Sequence, residues 1–321
     1  MSSAATESQS HSMTQPAISS KSADDSSRAQ YAKKETRLAW GLMAPTLIGL
    51  GLFSFIPMIG SVILAFTHWD IITPPKFAGL DNFVTLFSNP TVRTSFLNTF
   101  LFVIVAVVLQ LLIALFLAIL VQSKMPNWLR TFFRSSFFFP LILSAASVSL
   151  IMSYLFNEDF GAVNIILGHL GMAPVKWLTT AAGARFLTIL IYVWQNFGFT
   201  FLLFIGGLSS IPGDVYEAAA IDGATNWRRL HNITLPLLSP TILVASVMAI
   251  ISALQIFDQP YVLTRGGPGD STRTAVMVIY QSAFQELQFG LAAAIGVVLM
   301  LLIMLATWAQ FRLSKRYVFY M

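Results

Sequence analysis

Two groups of polar side chains interrupt long apolar stretches of the sequence and are its main candidates for binding chemistry. Trp194, Gln195 and Asn196 are consecutive, and Gln255 and Asp258 lie three residues apart in a later stretch. Amides both donate and accept hydrogen bonds, and a nearby aromatic ring offers an apolar face to a ligand. Polar side chains in such surroundings usually face a cavity or the interior of a helix bundle. The alternative is that these amides join neighbouring helices by hydrogen bonds.

Composition and spacing exclude most other chemistry. The chain has no cysteine, which excludes disulfides, thiol catalysis and thiolate metal sites. Its four histidines are scattered, and no apolar stretch contains paired carboxylates or a nucleophile with a base. Residues 265–274, RGGPGDSTRT, lack the lysine of a phosphate-binding loop and are predicted to form a turn. We therefore expect no catalytic residue, no metal and no cofactor on this chain.

Helices that cross a membrane must position the polar candidates. The 321 residues are 56% hydrophobic and only 10% charged, whereas soluble domains carry roughly 25% charged residues. Backbone groups in lipid must pair within their own segment, which favours helices over open strands. We predict an all-α polytopic membrane protein with six transmembrane helices. Each apolar stretch is near the roughly 20 residues that a spanning helix needs, and the six are residues 38–66, 97–121, 137–156, 186–208, 241–263 and 290–311.

Charge predicts the orientation of these helices. Residues 1–36 are polar and are predicted to be a disordered cytosolic tail. Thirteen of the 19 lysine and arginine residues fall on the side that holds both termini, which marks that side as cytosolic and places residues 209–240 there. The first span is expected to tilt or kink because it contains Pro45 and Pro57. A short interfacial helix is expected within residues 157–185.

The loop between the fourth and fifth stretches carries helix signals. Asp214 and Glu217 have the spacing of a capping acid and a second acid at the third helical position. The alanines that follow favour a helix, and Gly223 can adopt a positive φ and end it. Asn226 is expected to cap a second short helix, which ends before Pro236 because proline disfavours helical backbone at the preceding residue. The sequence thus predicts a helix–turn–helix elbow.

This loop resembles the EAA loop of the membrane subunits of ABC importers, which forms the coupling helix that docks on the ATP-binding subunit. Residues 264–268, TRGGP, and residues 77–83, FAGLDNF, resemble runs found in the carbohydrate group of these permeases, of the maltose and glycerol-3-phosphate type. The resemblance covers residues 38–316. The residues expected to couple this chain to an ATPase are Glu217, Ala218, Ala219, Asp222, Gly223, Ile233, Leu235 and Pro236.

The resemblance implies a type I ABC importer transmembrane domain of the MetI-like kind, working by alternating access. It places the first transmembrane helix and outer loop at residues 37–92, the core at residues 93–316 and the coupling loop at residues 209–240. The location implied is the cytoplasmic membrane of a bacterium or archaeon, with both termini in the cytosol. The partners implied are a second permease chain, two ATP-binding subunits that carry ATP-Mg, an extracytoplasmic solute-binding protein, lipid and a sugar substrate, but no nucleic acid.

The sequence does not name the cargo. A sugar, an oligosaccharide or a polyol fits, and close relatives in the family carry glycerol 3-phosphate; the lack of lysine or arginine within a span favours a neutral sugar. By resemblance, Gln195 and Asn196 follow Trp194 at positions where maltose-type permeases place cargo-contacting residues. An ion-coupled secondary carrier is a remote alternative, because such carriers bury ionisable residues at mid-membrane and only Asp258 comes near this pattern.

Overall fold

The structure, a computed structural model, describes residues 19–122, 125–316 and 318, with side chains from residue 34 onward. The chain forms two compact units, residues 1–60 and residues 61–321. Two short strands, β1 (Thr67–His68) and β2 (Lys76–Phe77), pair antiparallel. The helices in chain order are α1 (Ser19–Leu50), α2 (Ile56–Leu64), α3 (Asp81–Ser88), α4 (Pro90–Gln122), α5 (Asn127–Ile142), α6 (Ala145–Leu155), α7 (Ala162–His169), α8 (Ala181–Ser210), α9 (Gly213–Ile221), α10 (Asn226–Arg229), α11 (Leu235–Leu254), α12 (Asp258–Thr264), α13 (Ala275–Tyr280) and α14 (Phe289–Ser314).

The predicted all-α membrane fold is confirmed. Five helical segments among the described residues are long and apolar enough to span a bilayer. The sixth is broken, because α5 and α6 meet at an angle of 97° and form one span only as a bent pair. The span predicted over residues 137–156 is therefore not one continuous helix. The five continuous segments are Lys34–Leu64, Pro90–Gln122, Ala181–Ser210, Asn226–Thr264 and Phe289–Ser314.

The first unit differs from the sequence prediction at its start. Helix α1 begins at Ser19, inside the segment predicted to be disordered, while residues 1–18 of that segment lie outside the described residues. Alanine, lysine, arginine and glutamate before the apolar stretch are good helix formers and extend the helix backwards. Pro45 lies inside α1, and a π-helical turn, Gly51–Phe55, precedes Pro57. Its wider turn accommodates a ring that would otherwise clash with the preceding turn.

Helix α8 lies at the centre of the second unit. In the 18 most apolar consecutive residues of each helix, the buried share is 56% for α8, 28% for α4 and 33% for α14. The ring of Phe137 on α5 packs on Phe197 and Phe201 of α8. Gly198 makes this approach possible, since a Cβ there would lie 2.0 Å from the Phe137 carbonyl oxygen. Close packing therefore holds the middle of α5 directly against α8.

Residues 265–274, which we call the outer turn, form a glycine-rich turn as predicted, with Gly266 and Gly269 at positive φ. The Nδ2 atom of Asn98 on α4 donates to the carbonyl oxygens of Asp270 and Arg273 at 2.6 and 3.0 Å. Arg185 on α8 donates through Nε to the carbonyl oxygen of Ser271 at 2.9 Å. These bonds hold the turn against the adjoining ends of two long helices. The expected short helix within residues 157–185 is also present, as α7.

Candidate functional site

A polar cavity of about 270 Å³ lies among α5, α6, α8, α11 and α12. Four of the five residues singled out in the sequence line it: Gln195, Asn196, Gln255 and Asp258. The remaining lining residues are Leu141, Leu143, Ala145, Tyr192, Ser252, Ile256, Phe257 and Gln259. The structure thus brings together polar groups that lie about 60 residues apart in the chain.

Two helix breaks form much of the cavity wall. The first separates α5 from α6 at Leu143, where the backbone is extended. The second separates α11 from α12, where Phe257 has φ −137° and ψ −56°. Non-helical backbone at membrane depth is tolerated where protein or a water-filled cavity satisfies its polar groups. Accordingly, Thr274 donates through its hydroxyl to the carbonyl oxygen of Ile256 at 2.9 Å.

Gln195 connects the two breaks. It is 4% exposed, and its Nε2 atom donates to the carbonyl oxygen of Leu143 at 3.0 Å. Its Oε1 atom accepts a hydrogen bond from Gln259 Nε2, also at 3.0 Å. Both ends of this amide are therefore engaged in joining helices, which favours the structural alternative for Gln195.

Three further polar side chains of the cavity, those of Asn196, Gln255 and Asp258, keep groups that are free to meet a ligand. Asn196 donates to the carbonyl oxygen of Tyr192 at 2.9 Å, while its Oδ1 atom accepts no bond from a described residue. Gln255 and Asp258 are exposed, and their side chains make no hydrogen bond or ion pair to any residue that the structure describes. Asp258 is the sole carboxylate of the lining, which contains no lysine or arginine. This set of groups suits an uncharged polyhydroxyl ligand.

Trp194 does not line the cavity, and its side chain is 37% exposed. The aromatic groups there are Tyr192, whose hydroxyl donates to Ser252 Oγ at 2.9 Å, and Phe257. Helical periodicity was the signal that could have identified Tyr192. Tyr192 lies three residues before Gln195 and four before Asn196, so it shares a helix face with both. Trp194 is adjacent to Gln195 and therefore points about 100° away from it.

The predicted elbow is present as α9 and α10, and we use that name for residues 213–229. Helix α9 ends at Ile221 with Asp222 as its cap, and Gly223, the next residue, has the expected positive φ, at +70°. The N–H of Gly223 donates to the Ala220 carbonyl oxygen, and the N–H of Ala224 donates to that of Ala219. This pair of bonds is the Schellman arrangement, which satisfies carbonyl groups at the end of a helix.

The start of α9 was predicted wrongly. Its capping position is Pro212, and Asp214 is the second helical residue and accepts no capping hydrogen bond. Pro212 has an extended backbone with a fixed φ and cannot donate, so the helix begins directly after it. Asp214 still lies in the first turn, where a negative charge is favourable near the positive end of the helix dipole.

The second elbow helix also differs from the prediction. Thr225, not Asn226, caps α10, and its hydroxyl accepts from the Arg228 N–H at 3.4 Å. Both side chains can cap, but a β-branched residue suits the extended backbone that this position requires. The helix does not end before Pro236. A π-helical turn, Leu230–Thr234, carries it into α11, where proline is tolerated in the first turn.

Several elbow side chains face solvent. Ile221 is 88% and Trp227 is 68% exposed, which is unusual for side chains of this size. Exposed apolar groups beside carboxylates suit a docking surface for another protein. Of the residues predicted to couple to an ATPase, Ala219 is buried, Ile233, Leu235 and Pro236 are half-buried, and the exposed ones are Glu217, Ala218, Asp222 and Gly223. Sequence analysis missed Ile221 and Trp227.

The elbow is tied to the membrane helices at few points. The Tyr216 hydroxyl bonds to Thr234 Oγ1 at 3.1 Å, and Thr234 donates to the Arg229 carbonyl oxygen at 3.2 Å. Arg229 donates through Nε to the carbonyl oxygen of Ala224 at 2.9 Å. Among the residues that the structure describes, no cluster of histidine, aspartate and glutamate could hold a metal ion.

Comparison with known proteins gives the family. A family model described as "Binding-protein-dependent transport system inner membrane component" matches residues 110–318. The chain is 33% identical over 279 residues to a multiple sugar-binding transport system permease of Streptococcus mutans, covering 87% of this chain and 95% of that one. It is 31% identical over 296 residues to a trehalose/maltose transport system permease of Thermococcus litoralis, covering 91% and 98%.

A solved structure supports the same assignment. A chain of a bacterial ABC transporter involved in the import of the acidic polysaccharide alginate superimposes with a TM-score of 0.80 at 25% identity, covering 90% of this chain and 99% of that one. The resemblance identified from the elbow residues is confirmed. This chain is a member of the family of binding-protein-dependent transport system inner membrane components.

Proposed function

We propose that this chain is the membrane-spanning permease subunit of an ATP-driven importer for a neutral sugar or oligosaccharide. The observation that carries the proposal is the chemistry of the cavity. Asn196, Gln255 and Ser252 offer hydrogen bonds, Tyr192 and Phe257 offer aromatic surface, and the lining has no cation. Amides, hydroxyls and aromatic rings are the groups that bind an uncharged polyhydroxyl ring.

The elbow transmits the ATPase stroke in this proposal. The charge distribution indicates that the elbow and both termini lie on the cytosolic side of the cytoplasmic membrane. Ile221, Trp227, Glu217 and Asp222 would meet an ATP-binding subunit, and the ATP-Mg would be bound there and not on this chain. ATP must favour the outward-open state over the inward-open state through contacts that differ between the two.

Other chains complete the transporter in this proposal. The cavity of about 270 Å³ lies below the range of roughly 300–1,000 Å³ typical of small-molecule sites. A second permease chain would supply the rest of the path for an oligosaccharide. An extracytoplasmic binding protein would deliver the cargo, and one related solved transporter is in complex with an alginate pentasaccharide-bound periplasmic protein.

Two alternatives remain as competing outcomes. A glycerol-3-phosphate or polyol importer has the same architecture, but an anionic cargo would meet the Asp258 carboxylate with no cation in the lining. Some relatives do have names that imply a charged cargo, such as the sulfoquinovosyl glycerol permease of Agrobacterium fabrum, 35% identical over 280 residues. An ion-coupled carrier is the remote alternative.

Uptake by the complete complex in proteoliposomes tests the proposal. The chain, its partner chains and the binding protein are supplied with maltose, trehalose and raffinose, and separately with glycerol 3-phosphate and an alginate trisaccharide. We expect ATP-dependent uptake of at least one neutral sugar. Uptake of the anions alone, or uptake driven by an ion gradient without ATP, would contradict the proposal.

A further inference from the structure

A second polar cavity, which we call the outer cavity, lies beyond the β1–β2 hairpin and beside the start of α14. Its frame is built closely. The N–H of Phe289 donates to the Trp69 carbonyl oxygen at 2.9 Å, and Asn82 Nδ2 donates to the Ala65 and Thr67 carbonyl oxygens at 3.0 and 2.9 Å. A Cβ on Gly290 would lie 1.8 Å from the Thr67 oxygen. The hairpin is therefore fixed on α14, and the cavity is already formed.

The outer cavity is large enough for a sugar unit. Its volume is about 370 Å³, and an adjoining cavity measures about 380 Å³. Both values fall within the range of roughly 300–1,000 Å³ for small-molecule sites. The two cavities share the lining residues Thr85, Glu286, Gln288 and Leu291. Because they share these residues, the two cavities adjoin each other.

Trp69 supplies an aromatic wall to the outer cavity. Its ring is half-buried and is supported by the ring of Phe289, with centroids 5.6 Å apart at 53°. Asp70 lies beside it, and its Oδ1 atom accepts from the Thr73 N–H and hydroxyl at 2.7 and 2.8 Å. These bonds, the backbone bond first, lower the pKa of Asp70 and keep it a charged acceptor. Its second oxygen remains available to a ligand.

Unengaged polar groups surround this ring. The side chains of Lys76, Glu286 and Gln288 line the cavity, and none forms a hydrogen bond or ion pair with another described residue. The lining carries charges of both signs, so that an anion would meet two carboxylates and a cation would meet the lysine. A neutral ligand with many hydroxyl groups uses all of these donors and acceptors without a net charge penalty.

We propose that the outer cavity is a second saccharide site, which binds one neutral sugar unit against Trp69. The inference rests on the proposed function, since it names a further contact for the same class of cargo. It predicts occupancy by the sugar without help from the binding protein, because every group that it uses belongs to this chain.

The cysteine-free sequence permits a direct test. In the assembled complex, Thr85→Cys introduces a single thiol at a residue that lines both cavities. Val84→Cys is the matched control, because Val84 lies on the same helix, is 65% exposed and lies outside both linings. Labelling of this chain by a maleimide is followed with and without maltotriose, trehalose or glycerol 3-phosphate.

We expect a neutral saccharide at ten times its dissociation constant to slow labelling of the Thr85→Cys variant about tenfold, since only the unoccupied fraction reacts. Labelling of the Val84→Cys variant should not change, and glycerol 3-phosphate should protect neither. Adding Trp69→Ala to Thr85→Cys should abolish the protection, whereas Trp69→Phe should retain part of it.

The outcomes separate this site from the proposed function. If the complex transports a saccharide that gives no protection, the outer site is wrong and the function stands. Protection by the binding protein irrespective of sugar would make this a docking surface and overturn the site. If no saccharide is transported but one protects, the function is wrong and the site stands; with neither transport nor protection, both are wrong.

Discussion

The outer turn and the elbow are both loops between helices with a glycine at positive φ, yet they are held very differently. In the outer turn, Thr272 and Thr274 are fully buried, and Asn98 binds the turn from 172 and 175 residues away in the chain. The bonds of the elbow are local; the farthest of them, between Tyr216 and Thr234, spans 18 residues. The outer turn is bonded to distant helices of the bundle, whereas the elbow is held mainly by residues close to it in the sequence.

This difference indicates where movement can occur. Segments with few buried contacts and exposed hydrogen bonds open at the lowest free-energy cost. Hydrogen bonds join the outer turn to the ends of α4 and α8, so these parts are expected to move together. A displacement of the elbow would then be taken up by the residues between the elbow and the outer turn. The cavity, with its two helix breaks, lies in that interval.

Breaking the outer turn should have the largest effect on stability. Asn98→Leu removes a donor from two part-buried carbonyl groups; that of Asp270 keeps the Arg273 N–H, whereas that of Arg273 is left unpaired, at a cost of about 1–3 kcal/mol. Thr225→Ala in the elbow removes one capping bond and should cost about 1 kcal/mol or less. Thermal unfolding of the purified complex measures both. Equal losses would remove the distinction between the two loops.

Changing the end of α9 should affect coupling more than stability. Gly223→Val forces a β-branched residue to φ +70° and should cost about 1–3 kcal/mol locally, although no atom obstructs the side chain. We expect cargo-stimulated ATP hydrolysis to fall about tenfold, a loss of roughly 1.4 kcal/mol in coupling. Gly223→Asn is the control, because asparagine tolerates this conformation. Full stimulation in the valine variant would show that the geometry of the helix end is unimportant.

The cavity offers a pair of neighbours with opposite expectations. Gln195→Leu removes the bridge between the two breaks and leaves Gln259 unpaired, so the yield of assembled complex should fall. Asn196→Ala leaves helix contacts largely intact and should raise the half-saturating cargo concentration about tenfold, as loss of a ligand contact does. Uptake and size-exclusion profiles separate the two effects. Reversed results would exchange the roles assigned here.

The smallest effect is expected at Glu158, on the loop between α6 and α7. Burial tends to raise its pKa, but hydrogen bonds from Thr179 and Leu178 and the charge of Lys176 together lower the pKa below its ordinary value. A lowered carboxyl pKa adds stability above the unfolded value, and this stability is lost as the pH falls through the folded value. Glu158→Gln should therefore reduce the free energy of unfolding at pH 7 by at most about 1 kcal/mol, measured as a lower unfolding temperature, and this loss should shrink as the pH falls.

The sequence predicted the cavity better than it predicted the chemistry of each residue. Polar residues within apolar stretches are expensive in lipid, and this cost drew attention to Gln195, Asn196, Gln255 and Asp258. The engagement of Gln195 was hidden because its partners, the Leu143 carbonyl oxygen and Gln259, come together only when α5 and α11 break. No local signal marks a backbone carbonyl that a break leaves exposed.

In the elbow, local rules predicted the glycine end but not the helix start or the course past Pro236. A positive φ depends on the residue itself, and glycine adopts it without steric cost, so the conformation of Gly223 could be predicted without knowing the tertiary structure. Capping depends on which of two adjacent candidates has the extended backbone, and Thr225 took that place. Sequence rules for proline assume an α-helix, whereas the turn before Pro236 is wider.

The π-helical turn Leu230–Thr234 has a consequence for the angular register of the fifth span. A π-turn contains one residue more than an α-turn, so deleting one residue there would remove the extra residue and leave the two flanking helices facing nearly as before. A single deletion within the regular part of α11 would instead rotate one side against the other by about 100°. Because the outer turn fixes the far end, that rotation would appear at the elbow, where Trp227 would change its azimuth while Gln255 would stay where it is.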